Sequence, residues 1–175
     1  MSGESGRSSD KKVRILDSTA IILGFTEPLS GRMITSRKVL EEAKYGEAEY
    51  RALASREGHM IEVMDPDRKY VEEVKRFAAK MGELELSEAD LSILALALQL
   101  LKEKYEVSII TSDYSIQNLA SLLGIEVEPI LHRGINKTII WIAYCSMCGW
   151  SGDKKPGEPC PVCGHPLKRR PKKKT

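Results

Sequence analysis

Four cysteines carry the clearest chemistry in the chain. Cys145-Ser-Met-Cys148-Gly149 and Cys160-Pro-Val-Cys163-Gly164 are two copies of one short pattern, separated by 11 residues. Each Cys-x-x-Cys turn aims two thiolates at one ion, and two such turns complete a tetrahedron. The glycine after each pair can take a positive φ, which lets backbone N–H groups approach the sulfurs. The pattern predicts one structural Zn2+ per chain, held by Cys145, Cys148, Cys160 and Cys163 with no position left open for catalysis. The rivals are a four-thiolate iron centre for electron transfer and a pair of disulfides. The short gap and the lysine-rich surroundings argue against iron. Four cysteines in a chain with no secretory leader read as metal ligands before disulfides. Four thiolates satisfy zinc, so His165 is expected to be exposed. His59 and His132 fall in predicted loops.

Carboxylates form the second set. Asp17 and Asp113 each follow a short apolar stretch that reads as a strand. In open α/β sheets, ligands bind outside the carboxyl ends of the strands, and two acids delivered there can converge. The competing role for each is a helix or turn cap, which Asp favours. Asp90 lies in Ser87-Glu-Ala-Asp90, a capping-box pattern. It also falls in a row with Leu94, Ala97 and Leu101 on a helix expected to be buried, where an acid is costly unless paired or metal-bound. Glu41 and Glu42 share a helix whose apolar face is Val39, Leu40 and Ala43. At about 100° per residue, Glu42 lies about 107° from the centre of that face and Glu41 about 153°. Glu42 is therefore the candidate, and Glu41 is read as a solvated residue.

These acids need a frame. Val13–Asp17, Met33–Thr35, Met60–Met64, Ser108–Thr111 and Ile125–Ile130 read as extended segments. Ser18–Leu23 (closed by Gly24), Ser36–Lys44, Glu47–Arg56 (stopped by Gly58), Asp65–Met81, Glu88 to about Lys104 and Ser115–Leu123 read as helices. Strands alternating with helices predict an α/β layer fold with a mainly parallel sheet. The segment Leu91–Leu101 is apolar nearly all round, which places it between layers.

Composition divides the chain. Residues 1–130 carry 17 Lys+Arg against 23 Asp+Glu, a net of −6. Residues 131–175 carry 10 against 2, a net of +8. An acidic body with a basic module suggests an anionic partner, nucleic acid first. The expected organisation is a disordered Ser/Gly-rich start at 1–11, a body at 12–130, a linker at 131–138, a cysteine module at 139–167 and a basic tail at 168–175 too charged to pack. No apolar run approaches the roughly 20 residues that span a bilayer, and the N-terminus lacks the apolar core of a secretory signal. The expectation is a soluble cytoplasmic protein with no membrane partner.

Taken together, Val13-Arg-Ile-Leu-Asp17-Ser-Thr-Ala, Thr35-Ser-Arg-Lys-Val-Leu-Glu-Glu42, Leu86-Ser-Glu-Ala-Asp90-Leu-Ser-Ile-Leu-Ala-Leu-Ala and Ile110-Thr-Ser-Asp113-Tyr resemble a PIN domain. The resemblance implies a PIN-like three-layer fold and a metal-dependent ribonuclease in which Asp17, Glu42, Asp90 and Asp113 hold Mg2+ or Mn2+. With the four-cysteine module, a small β zinc ribbon, and the basic tail, the chain resembles the Nob family of archaea and eukaryotes, and its compact size looks archaeal. That family implies cleavage of precursor ribosomal RNA at the 3′ end of the small-subunit rRNA, leaving a 3′-hydroxyl and a 5′-phosphate. The implied partners are the small-subunit precursor and other assembly factors. Ser112 stands where many PIN domains have a second Asp. Thr111, Ser112 and Ser18 are candidates for orienting ligands or water.

Two other readings fit the same residues. In one, the acids are structural and the protein is a non-catalytic RNA-binding assembly factor. In the other it is a toxin-type PIN ribonuclease, although such chains usually lack a zinc ribbon.

Overall fold

The computed structural model describes residues 11–23, 31–43, 61–130, 134–135 and 137–172. The expected helix at 47–56 with its Gly58 stop, Gly24, His59 and His132 lie outside the described residues, as do 1–10 and 173–175.

The strands are β1 (Lys12–Leu16), β2 (Arg32–Thr35), β3 (Ile61–Val63), β4 (Glu106–Ile110) and β5 (Glu126–Glu128), followed by β6 (Trp141–Tyr144), β7 (Ser151–Gly152) and β8 (Lys168–Pro171). We number the described helices α1 (Ser18–Ile22), α2 (Arg37–Glu42), α3 (Arg68–Met81), α4 (Glu88–Lys102) and α5 (Tyr114–Leu122). The first five strands form one sheet in the order β3-β2-β1-β4-β5, and every pairing in it is parallel. Parallel sheets need cover on both faces. Here Val13 and Ile15 on one face of β1 and Arg14 and Leu16 on the other are all buried.

Helix α4 forms because Ser87 and Asp90 cap it reciprocally and a largely apolar sequence, interrupted only by Ser92 and Gln99, runs from Leu91 to Leu101. Its Ile93, Leu94, Leu96 and Leu100 are at most 2% exposed, each side chain contributing on the order of 1.5–3 kcal/mol by burial. It packs against α2, α3, α5, β1 and β4. It ends at Lys102, two residues earlier than expected, and Lys104 takes a φ of 70° in the turn to β4. Helix α3 starts at Arg68, three residues later than expected, with Asp67 at the cap position in extended backbone. Strand β4 begins at Glu106, two residues before the expected Ser108, since Glu106 pairs with Lys12.

The cysteine module is a three-stranded antiparallel sheet in the order β7-β6-β8. Its buried apolar cluster is separate from that of the body and consists of Ala143, Cys145, Cys160 and Leu167, with Trp150 packed alongside. The expectation that the chain after Leu167 is too charged to pack is corrected. Lys168–Pro171 is β8, paired with β6 in a register that sets Ala143 against Arg169 and Ile142 against Arg170. Aromatic rings account for the difference. The Arg169 guanidinium lies 4.5 Å from the Trp141 ring and that of Arg170 4.9 Å from the Tyr144 ring, so the cations pack instead of remaining fully hydrated. Ile135, in the segment read as a linker, and Ile139 just after it are held to α5. The N–H of Ile135 donates to Oε1 of Gln117 at 3.1 Å, and Asn118 exchanges two hydrogen bonds with the backbone of Ile139 at 2.8 and 2.7 Å.

Candidate active site and metal centre

The sheet order changes direction between β1 and β4, because β2 and β3 extend one side and β5 the other. That is the switch point at which α/β folds open a crevice beyond the strand ends. Leu16 pairs with Ile110 at the last rung, so Asp17 and Thr111 leave the sheet side by side.

Asp17 is 5% exposed. It caps α1, its Oδ1 accepting the N–H of Ala20 at 2.7 Å. Its Oδ2 accepts the hydroxyl of Thr111. That hydroxyl in turn accepts the N–H of Asp113 at 3.0 Å. Asp113 caps α5, its Oδ1 accepting the N–H groups of Ser115 at 2.6 Å and Ile116 at 3.1 Å. Of the three hydroxyls considered as orienting groups, the Thr111 hydroxyl is thus bonded to both acids' loops.

Asp90 approaches from α4. Its Oδ2 accepts the N–H of Ser87 at 2.8 Å, while the Asp90 N–H donates to the Ser87 hydroxyl at 3.1 Å. The same hydroxyl donates to Oε2 of Glu42 at 3.2 Å. Glu42 and Glu41 are both exposed. They differ in what they face, since Lys38 donates to Glu41 at 3.2 Å. Ser36, which caps α2 through the N–H of Val39, lies 2.5 Å from Ser92. Ser92 donates to the Ala89 carbonyl, so the Ser36 hydroxyl donates to Ser92 and ties α2 to α4.

Burial pushes the Asp17 carboxyl above the usual range. The Thr111 and Ala20 hydrogen bonds oppose the shift, and the charges of Asp113 and Asp90 add to it. Burial also pushes Asp90 up, opposed by Ser87 and reinforced by Asp113 and Glu42. Asp17 and Asp90 therefore both feel the charge of Asp113. Carboxylates are hard oxygen donors, the kind that suits Mg2+ or Mn2+. The caps and the acids are one arrangement: Asp17 and Asp113 are each aimed by N–H groups of the helix they start, and Asp90 by that of Ser87.

The four cysteine sulfurs lie within 4.8 Å of one another. Cys145 and Cys163 are 3.4 Å apart, and Cys148 and Cys160 are 3.6 Å apart. Gly149 and Gly164 adopt φ of 78° and 75°, as the two knuckles require. The N–H groups of Cys148 and Met147 draw the Cys145 thiol down to about 6. For Cys163 the His165 N–H pulls downward, but the other three sulfurs and burial prevail and push it up to about 12. Four thiols this close cannot all ionise without a cation, and the spread expresses that conflict. The donor set fits a zinc ribbon. His165 is half-buried, a departure from expectation: its carbonyl accepts the Cys160 N–H at 2.9 Å and so closes the second knuckle.

Glu83 was not legible as a functional position. It is 4% exposed and accepts the Trp141 indole N–H at 3.1 Å. In sequence it sits in Gly-Glu-Leu-Glu-Leu, an alternation typical of a surface segment.

Residues 15–100 match the family model described as the PIN domain of ribonuclease. Endoribonuclease Nob1 of Pyrococcus abyssi is 37% identical over 161 residues, covering 91% of this chain and 94% of the relative. Endoribonuclease Nob1 of Archaeoglobus fulgidus is 38% identical over 155 residues, 87% of each chain. Ribonuclease VapC1 of Thermoplasma acidophilum is 37% identical over 162 residues, 90% of this chain and 77% of the relative. Similarity at this level over most of each chain means that the chain belongs to the PIN-domain endoribonucleases, in the family of the Nob1 proteins.

Proposed function

We propose that the protein is a divalent-cation-dependent endoribonuclease that cuts precursor ribosomal RNA at the 3′ end of the small-subunit rRNA, in the cytoplasm. The observation that carries this is that Asp17 and Asp113 follow neighbouring parallel strands and are linked through the Thr111 hydroxyl, with the charges of Asp113 and Asp90 pushing Asp17 up. Asp17 and Asp113 would hold Mg2+ or Mn2+, with Asp90 and Glu42 completing the acidic rim. A bound ion supplies charge neutralisation at the scissile phosphate and a more acidic water. Thr111 orients the Asp17 carboxylate and holds the backbone N–H of Asp113. Ser87 sets the rotamers of Asp90 and Glu42.

An acidic cleft repels RNA, so retention falls to the basic ribbon, where Lys154, Lys155, Arg170 and Lys172 are exposed. Zn2+ on the four cysteines would give that ribbon its shape. Other assembly factors bound to the same precursor are further partners under this reading.

The test is incubation with RNA spanning the small-subunit 3′ end and Mn2+, followed by mapping of the cut. One defined cut leaving a 3′-hydroxyl supports the proposal. Tight binding without cleavage would favour an assembly factor whose acids serve only as caps. The second reading, a toxin-type ribonuclease, is kept because relatives named ribonuclease VapC are among those found. It predicts cleavage of unrelated RNAs as readily as the ribosomal precursor.

A further inference from the structure

Three parts of the molecule converge on Glu83. It follows Gly82, which ends α3 with a φ of 73°. A side chain at Gly82 would come within 2.6 Å of the Trp141 carbonyl oxygen, so the ribbon lies directly against this turn. From the ribbon, Trp141 of β6 donates its indole N–H to Oε2 of Glu83 at 3.1 Å, and Arg169 of β8 donates to Oε1 at 3.3 Å. From the body, the hydroxyl of Ser115 donates to the same Oε1 at 3.3 Å. Ser115 is the second residue of α5, and its own N–H donates to the Asp113 carboxylate at 2.6 Å. One side chain therefore stands between the docked ribbon and the turn that aims Asp113. The same helix is held to the C-terminal part of the chain again through Asn118 and Gln117.

A buried carboxylate is tolerated only while it is paired. Two of the three side chains bonded to Glu83 belong to the ribbon. Docked, they leave Glu83 in place to receive Ser115. Undocked, Glu83 must turn to water and Ser115 loses its acceptor. Docked and undocked ribbon are the two discrete arrangements that a coupling needs.

We infer that Glu83 is a positioning residue that couples docking of the cysteine ribbon to cation binding at the acidic cleft, acting through Ser115 on Asp113. This rests on the reading of Asp113 as an ion ligand. A coupling of this kind is reciprocal: a docked ribbon tightens cation binding, and a bound cation tightens docking. An enzyme so built binds its cation best when its RNA-holding module is seated.

The experiment uses the full chain with zinc bound. Mn2+ affinity is measured for the wild type, Glu83→Gln, Ser115→Ala, the double variant and Asp113→Asn. Hydrogen exchange of the β6 amides is followed with and without Mn2+. Glu83→Gln and Ser115→Ala should each weaken Mn2+ binding by roughly threefold to tenfold. The double variant should be no weaker than Glu83→Gln alone, since both break one path. Mn2+ should slow β6 exchange in the wild type and leave it unchanged in Ser115→Ala. Should Glu83→Gln fail to fold, Ser115→Ala, which removes a single hydroxyl, still decides the matter. If Asp113→Asn weakens Mn2+ binding while Glu83→Gln and Ser115→Ala bind as the wild type does, and β6 exchange ignores Mn2+, the coupling is wrong and the site stands. If Asp113→Asn itself binds Mn2+ normally, the site assignment and the coupling fall together.

Discussion

The hydroxyl of Thr111, just past β4, donates to the carboxylate of Asp17, just past β1, across a sequence separation of 94 residues. This bond lies just beyond the last rung of the sheet and opposes the rise in the Asp17 pKa that burial causes.

Replacing Thr111 with Val keeps the shape and removes that donor. Asp17 should then hold its proton to still higher pH, and Mn2+ should bind about tenfold to a hundredfold more weakly near neutral pH, the usual cost of losing a partner that orients a ligand. The deficit should shrink as pH rises and both proteins ionise. Thr111→Ser should behave as the wild type. Calorimetric Mn2+ titrations at two pH values check this, and equal affinities for Val and Thr would sink it.

Asp17→Asn and Asp113→Asn should each lose metal-dependent cleavage by roughly a thousandfold or more, because several kcal/mol of ion-derived stabilisation vanish. RNA binding should survive. Asn caps a helix about as well as Asp, so both variants should fold. Asp90→Asn should be inactive as well. Glu42→Gln should be impaired and Glu41→Gln near normal, since Glu42 meets Ser87 and Glu41 meets Lys38. Cleavage assays beside melting curves separate loss of chemistry from loss of fold.

Without a divalent ion, Asp17 should lower stability at neutral pH. Its folded-state pKa lies above the ordinary value, so between the two the folded protein binds more protons than the unfolded chain. Stability then falls as pH rises through that window and levels off above it. Glu62 works in the opposite sense. Its pKa is lowered by the Arg32 hydrogen bond, and its contribution fades as pH falls. The difference in melting temperature between Asp17→Asn and wild type isolates the Asp17 effect. It should be near zero at about pH 4, grow in favour of Asn as pH rises, and reverse once Mn2+ is added, because a bound ion stabilises the native state that holds it. A flat difference would show that Asp17 is not under strain.

Elemental analysis should find about one zinc per chain and negligible iron. Chelation or Cys148→Ser should unfold the ribbon and spare the body. The two have separate cores, and the ribbon's contains four buried residues among those described, two of them cysteines of the cluster. A core that small cannot offset chain entropy without the roughly 10–16 kcal/mol of apparent metal-binding free energy. Tryptophan fluorescence should report the change through Trp141 and Trp150, with circular dichroism of the helices largely retained.

Changing the exposed Lys154, Lys155, Arg170 and Lys172 together to Gln should cut RNA affinity sharply while leaving the Glu83 contacts intact. If about four phosphates are met, the wild-type log affinity should fall with log salt at a slope of roughly −3, flattening in the variant. Unchanged affinity would move the RNA surface off the ribbon.

What could be read from sequence was local in the chain. Each knuckle of four residues presents its two sulfurs because the turn is self-contained. Ser87 and Asp90 lie one helical turn apart, so their reciprocal cap was readable, and apolar periodicity marked α4 as buried. Asp17 and Asp113 could be placed past strand ends because strand and cap signals are short-range. The rest depended on register and docking. That Thr111 meets Asp17 follows from β1 and β4 being neighbours and ending on the same rung. Lys168–Pro171 looked like a solvated tail because charge alone was visible, whereas the rings of Trp141 and Tyr144 that receive Arg169 and Arg170 lie across a strand pairing. Glu83 was silent for the same reason. Its partners are 32, 58 and 86 residues away, and a lone Glu after a helix carries no local mark of a burial that only the docked ribbon creates.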